Sequence, residues 1–259
     1  MTTLLLLLAG ALGTPASAFG ASGTYHEEFH QSYTLEGQGR IALENIHGDV
    51  HITAWDRDEV KVDALKRASS QERLDDAHIV VDAGRNTITI KTRYPEGENS
   101  EHPAEVDYTV MVPRSARLDQ VKLVNGALEI AGLKGEVRAS SVSGAIRTRD
   151  LAGDVKLSTV SGKLEAFFGQ LDESRSISVN SVNGSIEVLL PMDAHADLQA
   201  DTVSGGISSD FGAPVERGRF PGRHLSGVLK GGGARIRVSN VNGSICLTPV
   251  WHGKRVKFT

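Results

Sequence analysis

Residues 124–164 read VNGALEIAGLKGEVRASSVSGAIRTRDLAGDVKLSTVSGKL, and their spacing decides the fold. Glycine recurs every nine residues, with an aliphatic residue two positions before and two positions after it. The third position after each glycine is always charged. The five glycines are Gly126, Gly135, Gly144, Gly153 and Gly162. Apolar and charged residues thus alternate beside each turn, which predicts short β-strands with one buried face.

Two kinds of nine-residue unit alternate along this stretch. Val-Asn-Gly or Val-Ser-Gly turns lie eighteen residues apart, and Leu-Lys-Gly or Leu-Ala-Gly turns lie between them. In a solenoid with two strands per coil, residues one coil apart stack directly, whereas an antiparallel meander has no reason to prefer the longer period. The sequence therefore predicts an all-β fold, a β-solenoid or β-helix-like stack with two strands per coil of about 18 residues.

The Val-polar-Gly unit continues toward the C-terminus with longer spacings, which predicts coils that carry insertions. Asn and Ser side chains can bond nearby turn amides, and Gly accepts a positive φ. The predicted structural turn residues are Asn125, Gly126, Ser143, Gly144, Ser161, Gly162, Asn183, Gly184, Ser204, Gly205, Asn242 and Gly243. The Asn and Ser residues of these turns are expected to form a polar ladder along one edge of the stack, together with Ser141, Thr159, Ser181, Thr202 and Asn240. The ladder either only satisfies the backbone of the turns or offers an extended contact surface.

Three segments organise the chain. Residues 1–18 have a short apolar stretch and a small-residue site at Ala16-Ser17-Ala18, which predicts a signal peptide cleaved near Ala18 and an extracytoplasmic mature protein, whether periplasmic, cell-surface or secreted. Residues 19–115 are predicted to supply capping strands and the first coil or coils, with a short helix near 70–77 because Ser69 and Glu72 have capping-box spacing. Residues 116–259 are the repeat solenoid.

Composition excludes several classes of protein. The 259-residue chain carries 28 Lys and Arg against 32 Asp and Glu, a formal charge of −4. A nucleic-acid-binding domain is normally strongly basic, so nucleic acid is not the expected partner. A single cysteine rules out a disulfide framework and a zinc site built from several Cys ligands. No run after the leader approaches the roughly 20 apolar residues of a transmembrane helix.

Residues 211–234 are rich in Gly, Pro and Arg, which predicts a long protruding loop without strand patterning. Such a loop could meet anionic envelope polymers through its basic side chains. These candidate contact residues are Arg217, Arg219, Arg223 and Lys230, with His224 among them.

Two patterns could carry enzyme chemistry. His26-Glu27-Glu28-Phe29-His30 matches H-E-x-x-H, but a zinc peptidase needs this motif on a helix, and the surrounding residues favour an exposed strand or arm. A glycosidase or lyase needs two carboxyls about 5 to 9.5 Å apart across a cleft. Candidate pairs are Asp150 with Asp154, Asp172 with Glu173, and Asp197 with Asp201. Solvated turn positions explain these residues better, so we predict no catalytic, cofactor-binding or metal site.

The repeated Val-Asn/Ser-Gly-x-Ile/Leu units after a leader resemble the bacterial "putative adhesin" family of β-strand-repeat domains of unknown function, over residues 36–250. The residues that carry the resemblance also include the opening Arg40–Asn45 and the segments at Pro113 and Pro191. The resemblance implies a β-repeat fold and brings no catalytic motif. The predicted function is a non-enzymatic extracytoplasmic scaffold, adhesin-like or envelope-associated, with an envelope glycan or protein as partner. The alternatives are a polysaccharide-active β-helix enzyme and a zinc metallopeptidase through His26, Glu27 and His30.

Overall fold

The computed structural model describes residues 24–95, 103–212, 214–217, 222–251 and 254–255. The predicted signal peptide lies outside these residues. The described chain forms two eleven-stranded sheets and one short helix. The strands are β1 (Tyr25–Thr34), β2 (Arg40–His47), β3 (Val50–Trp55), β4 (Glu59–Ala68), β5 (His78–Ala83), β6 (Thr87–Arg93), β7 (Glu105–Pro113), β8 (Arg117–Asn125), β9 (Leu128–Ala131), β10 (Val137–Ser143), β11 (Ile146–Arg149), β12 (Val155–Ser161), β13 (Leu164–Phe167), β14 (Ser176–Asn183), β15 (Ile186–Pro191), β16 (Ala196–Ser204), β17 (Ile207–Ser209), β18 (Val215–Arg217), β19 (Arg223–Leu229), β20 (Ala234–Asn242), β21 (Ile245–Trp251) and β22 (Lys254–Arg255).

The central strands form a parallel stack in which each coil gives one strand to each sheet. The first sheet runs β1-β4-β7-β3-β9-β11-β13-β15-β21-β17, with β22 beside β21. The second runs β18-β19-β16-β20-β14-β12-β10-β8-β2-β6-β5. Ser143 lies opposite Ser161 and Ile146 opposite Leu164, and both pairs are eighteen residues apart in the chain. This register confirms the predicted all-β stack with two strands per coil.

A column of glycines holds the coils together at the corner between the two sheets. In stacking order it contains Gly48, Gly126, Gly144, Gly162, Gly184, Gly243 and Gly205, all with φ between +112° and +155°. The amide of Gly144 donates to the carbonyl of Ser161 at 3.0 Å, and the same bond repeats from coil to coil. A Cβ on Gly144 would overlap the carbonyl oxygen of Gly126. Only glycine therefore allows this approach between turns.

The order of the coils differs from the order of the chain at both ends of the stack. The β2–β3 coil lies between the β6–β7 coil and the β8–β9 coil. At the other end, the β20–β21 coil inserts between β14–β15 and β16–β17. At the first end the inner coil β2–β3 precedes the terminal coil β6–β7 in the chain, whereas at the other end the terminal coil β16–β17 precedes its inner neighbour β20–β21.

The expectation of a strandless loop over residues 211–234 is wrong. This stretch contains β18 and β19, and β19 pairs antiparallel with β16 along seven residues. Leu225 is fully buried and anchors β19 to the core. The pair covers an edge that would otherwise present unpaired backbone groups. The Gly, Pro and Arg content of this stretch is not typical of a strand, so the sequence did not predict one. A single buried leucine is enough to pack β19 on the core, because the other side of the strand faces solvent.

The opposite end is closed by antiparallel strands and the helix α1 (Gln71–Asp76). β1 and β4 extend the first sheet beyond β7, and β5 extends the second sheet beyond β6. The helix confirms the one predicted near residues 70–77. Its N-cap is Ser70, whose side chain accepts from the amide of Arg73 at 3.3 Å, one residue later than the expected Ser69.

The core between the sheets is mostly aliphatic, and a hydrogen-bonded polar cluster lies in it near the end that carries β1 and β4. Tyr108 is fully buried, and its hydroxyl lies 2.7 Å from Thr92 Oγ1. Thr92 in turn donates to Asn45 Oδ1 at 2.9 Å, and Asn45 Nδ2 donates to the carbonyl of Val106 at 2.8 Å. Burial raises the pKa of Tyr108 to about 12, so the phenol stays protonated and the network stays neutral.

Replacing Gly144 by alanine should lower the free energy of unfolding by about 3 kcal/mol or more, because it adds a backbone overlap to the strain of a non-glycine residue at φ +140°. Urea unfolding followed by circular dichroism measures the change. The matched control is Gly231→Ala, since Gly231 has φ +93° with nothing within 4 Å of an added Cβ. The control should cost about 1 kcal/mol. Equal losses in the two variants would show that the turns do not stack in contact.

Candidate functional site

The corner that contains the glycine column exposes one aliphatic side chain per coil. In stacking order these are Ile46, Val124, Val142, Val160, Val182, Val241 and Val203, each between 37% and 58% exposed. Neighbouring strands are about 4.8 Å apart, so the row extends about 29 Å. We call these seven side chains the valine ribbon. The alternation of apolar and charged residues beside each turn predicts that these valines lie on the buried face of the strands, and the structure shows them exposed. Of the aliphatic residues two positions before the nine-residue repeat glycines, only Leu133 and Leu151 of the other turn type are buried.

The polar turn residues predicted from the sequence lie next to the ribbon and are exposed. They are Asn125, Ser143, Ser161, Asn183, Asn242 and Ser204 in stacking order. Asn242 Nδ2 donates to Asn183 Oδ1 at 3.0 Å, a bond between adjacent coils. Two parallel rows, one aliphatic and one amide or hydroxyl, therefore form a strip without formal charge.

The expected single polar ladder is divided by the corner into an exposed row and a buried row. The buried row comprises Ser141, Thr159, Ser181, Asn240 and Thr202, each at most 5% exposed. Asn240 Nδ2 donates to the carbonyl of Gly184 at 2.8 Å and so ties the interior to the glycine column. These buried residues cannot contact a partner. Any binding surface at this corner consists of the exposed row and the valine ribbon.

The outer face of the first sheet has a different character, because its charges neutralise one another across coils. Glu129 lies 3.3 Å from His51 and 3.5 Å from Arg147. Lys163 pairs with Glu165 at 2.9 Å and with Glu187 at 3.0 Å, and hydrogen bonds to these carboxylates raise the lysine pKa. Such half-exposed pairs contribute about 0–1 kcal/mol each. They leave this face charge-balanced.

The proposed contact loop does not bring Arg223 and Lys230 together. Arg217 and Arg223 are register partners in the β18–β19 pair. Lys230 lies beyond the other end of β19, and seven extended residues separate it from Arg223 by about 23 Å. Arg219 lies outside the described residues. Arg223 and Lys230 therefore belong to different surfaces.

The H-E-x-x-H motif lies on strand β1, not on a helix. Four extended residues place His26 and His30 about 13 Å apart. Glu27 pairs with Lys66 at 2.7 Å, and His30 Nδ1 lies 2.7 Å from Asp63. This geometry does not fit a helix-borne zinc centre. Across the described part of the chain, no three His, Cys, Asp or Glu side chains group closely enough to hold a metal ion.

One carboxylate of each candidate pair is held by a partner outside the pair. Asp154 Oδ1 accepts from the amide of Ser176 at 2.9 Å. Asp172 pairs with Arg175 at 3.4 Å, and Asp201 lies 2.7 Å from His224 Nδ1.

In the described residues, no helix is long and apolar enough to cross a membrane.

Comparison with known proteins identifies the repeat region. The family model described as Toastrack DUF4097 matches residues 115–248, more than half of the chain. A crystal structure of a putative cell adhesion protein from Clostridium sporogenes is similar, with 12% identity and a TM-score of 0.49, covering 85% of this chain and 99% of that one. A putative adhesin from Bacteroides fragilis has 10% identity and a TM-score of 0.34, with 85% and 97% covered. No curated protein matches the chain significantly.

Pairing of β1 with β4 should depend on the protonation of His30. Hydrogen bonds to Asp63 and then Glu28 raise the pKa of His30 above its ordinary value. A histidine whose folded pKa is raised stabilises the fold fully below its unfolded pKa, near 6.5, and loses this contribution as pH rises through the folded value. The protection of the β1 amides, measured relative to the exchange rate of an unfolded peptide at the same pH, should therefore fall over that interval.

A pH titration of the imidazole protons by NMR measures the effect directly. Asp63→Asn should return the His30 pKa toward its ordinary value, and Glu28→Gln should do so to a smaller degree. A wild-type value near 6.5 that neither substitution changes would contradict the assigned contacts.

Proposed function

Because the chain belongs to the Toastrack DUF4097 family, we propose its role from its own surface: a non-enzymatic extracytoplasmic scaffold that binds an envelope protein along the valine ribbon. The observation that carries this proposal is the unbroken row of seven half-exposed aliphatic side chains. Contiguous exposed apolar surface rimmed by polar groups is typical of interaction sites. The leader-like residues 1–18 support an extracytoplasmic location.

The chemistry of the ribbon favours a protein partner over a glycan. Its side chains are aliphatic, whereas sugar rings stack their C–H faces on aromatic rings. The exposed row beside it supplies only Asn and Ser, and protein interface cores are likewise depleted in charge. The partner surface is therefore apolar and uncharged, and the interaction should be insensitive to salt.

The rigidity of the ribbon favours binding. β-Branched side chains have restricted χ1 freedom, and the glycine column fixes the spacing of the coils. A surface that is already ordered loses little conformational entropy on association. Asp154, Asp172 and Asp201 are held by a backbone amide, an arginine and a histidine respectively, which favours a binding role over catalysis at these carboxylates.

Val160→Asp should weaken partner binding at least tenfold, because a carboxylate would be buried against an apolar surface. Val80→Asp is the matched control, since Val80 is 43% exposed on β5, five strands away from the strand that carries Val160. Both changes lie on the surface and should leave the free energy of unfolding within about 0.5 kcal/mol of wild type.

The partner is found with a photo-crosslinking amino acid at position 160, and at position 80 as control, in cells that express the protein. The expected product is one protein species crosslinked only from position 160. When purified, it should bind wild type and Val80→Asp equally at low and high salt, and Val160→Asp weakly. Crosslinks equal at both positions, adducts with glycan, or products containing only a second copy of the chain would each refute the proposal.

A further inference from the structure

A cavity of about 590 Å³ lies at the other corner of the stack, where chains return from the first sheet to the second. Four segments far apart in sequence form it: residues 168–175, the turn at 191–195, Lys230 after β19, and the end of β21. The volume lies within the 300–1,000 Å³ typical of small-molecule sites. The swapped position of β20–β21 brings these segments together.

The lining combines an apolar base with a polar rim. Pro191, Ala194 and Val250 are buried beneath the cavity, and Trp251 stands at its side with 55% of its surface exposed. The polar side chains that line the cavity are Gln170, Glu173, Asp193, His195 and Lys230. An indole beside carboxylate, amide and imidazole groups matches the two faces of a sugar ring, whose C–H side stacks on aromatic rings and whose hydroxyls bond planar polar groups.

Close packing fixes the walls relative to one another. Glu173 Oε1 lies 3.6 Å from His195 Nδ1, which joins the 168–175 segment to the 191–195 turn. A Cβ on Gly233 would lie 2.7 Å from the carbonyl oxygen of His195 and 3.1 Å from the Cβ of Glu173, so glycine lets the turn after Lys230 press against both. Lys230 itself has φ +45°, a strained conformation for a residue with a side chain.

The charged side chains of the cavity favour neutral sugars over anionic ones. Glu173 and Asp193 contribute two negative charges, and Lys230 contributes one positive charge. These three side chains leave one net negative charge at the cavity, which disfavours carboxylated or sulfated glycans. We propose that this cavity binds a short neutral oligosaccharide stacked on Trp251. This site is separate from the valine ribbon and independent of the protein partner proposed for it.

The chain has two tryptophans, so fluorescence can report on the site. Trp55 lies in β3, where its indole N–H donates to the carbonyl of Glu59 at 2.7 Å and Arg57 lies 4.8 Å over its ring. Trp55→Phe therefore leaves Trp251 as the only tryptophan emitter. Titration of this variant with cellotriose and with triacetylchitotriose should give a saturable blue shift for at least one of them.

Calorimetry with the full chain supplies the affinity and the controls. Trp251→Ala should weaken binding at least tenfold, and the isosteric Glu173→Gln at least threefold, whereas Trp55→Phe and Val160→Asp should bind as wild type does. Trigalacturonate, the anionic probe, should bind at least tenfold more weakly than the neutral trisaccharide. No saturable signal with either neutral trisaccharide, unchanged affinity in Trp251→Ala, or equal binding of trigalacturonate would overturn the proposal.

Discussion

The contact between stacked glycine turns is the constraint on which the rest of the structure depends. Each turn amide donates to a carbonyl of the next coil, and each glycine lies so close to its neighbour that a side chain would overlap backbone. This contact fixes the register of both sheets. Because register in a sheet determines which side chains face outward, the same contact places the aliphatic row on the surface and the small polar row inside.

The two corners of the coil serve different purposes. The glycine corner repeats without interruption and presents an uncharged strip that suits a flat protein surface. The opposite corner accepts insertions, such as residues 168–175, and one group of them encloses the cavity beside Trp251. A rigid repeat with one uniform edge and one variable edge can thus hold two unlike binding surfaces without changing its core.

The sequence predicts the repeat itself, since a spacing of eighteen between Gly126, Gly144 and Gly162 has no other simple explanation. It does not predict the order of coils at the ends. Every Val-polar-Gly turn is similar enough to stack on any other, and long-range pairing decides between them. The exposure of Val160 and the burial of Thr159 were also missed, because alternation beside a turn does not reveal which face the turn directs inward. The cavity was missed because its residues, Glu173, His195, Lys230 and Trp251, converge only through the coil swap.

Distances between spin labels test the stacking of matched turns most directly. With Cys246 replaced by serine, one label on Val124 is paired with a second on either Val241 or Val203. The stack places these positions four and five strands away, so the distances should be about 19 Å and about 24 Å, with Val241 the nearer. The reverse order, or distances unrelated to the spacing of strands, would contradict the account.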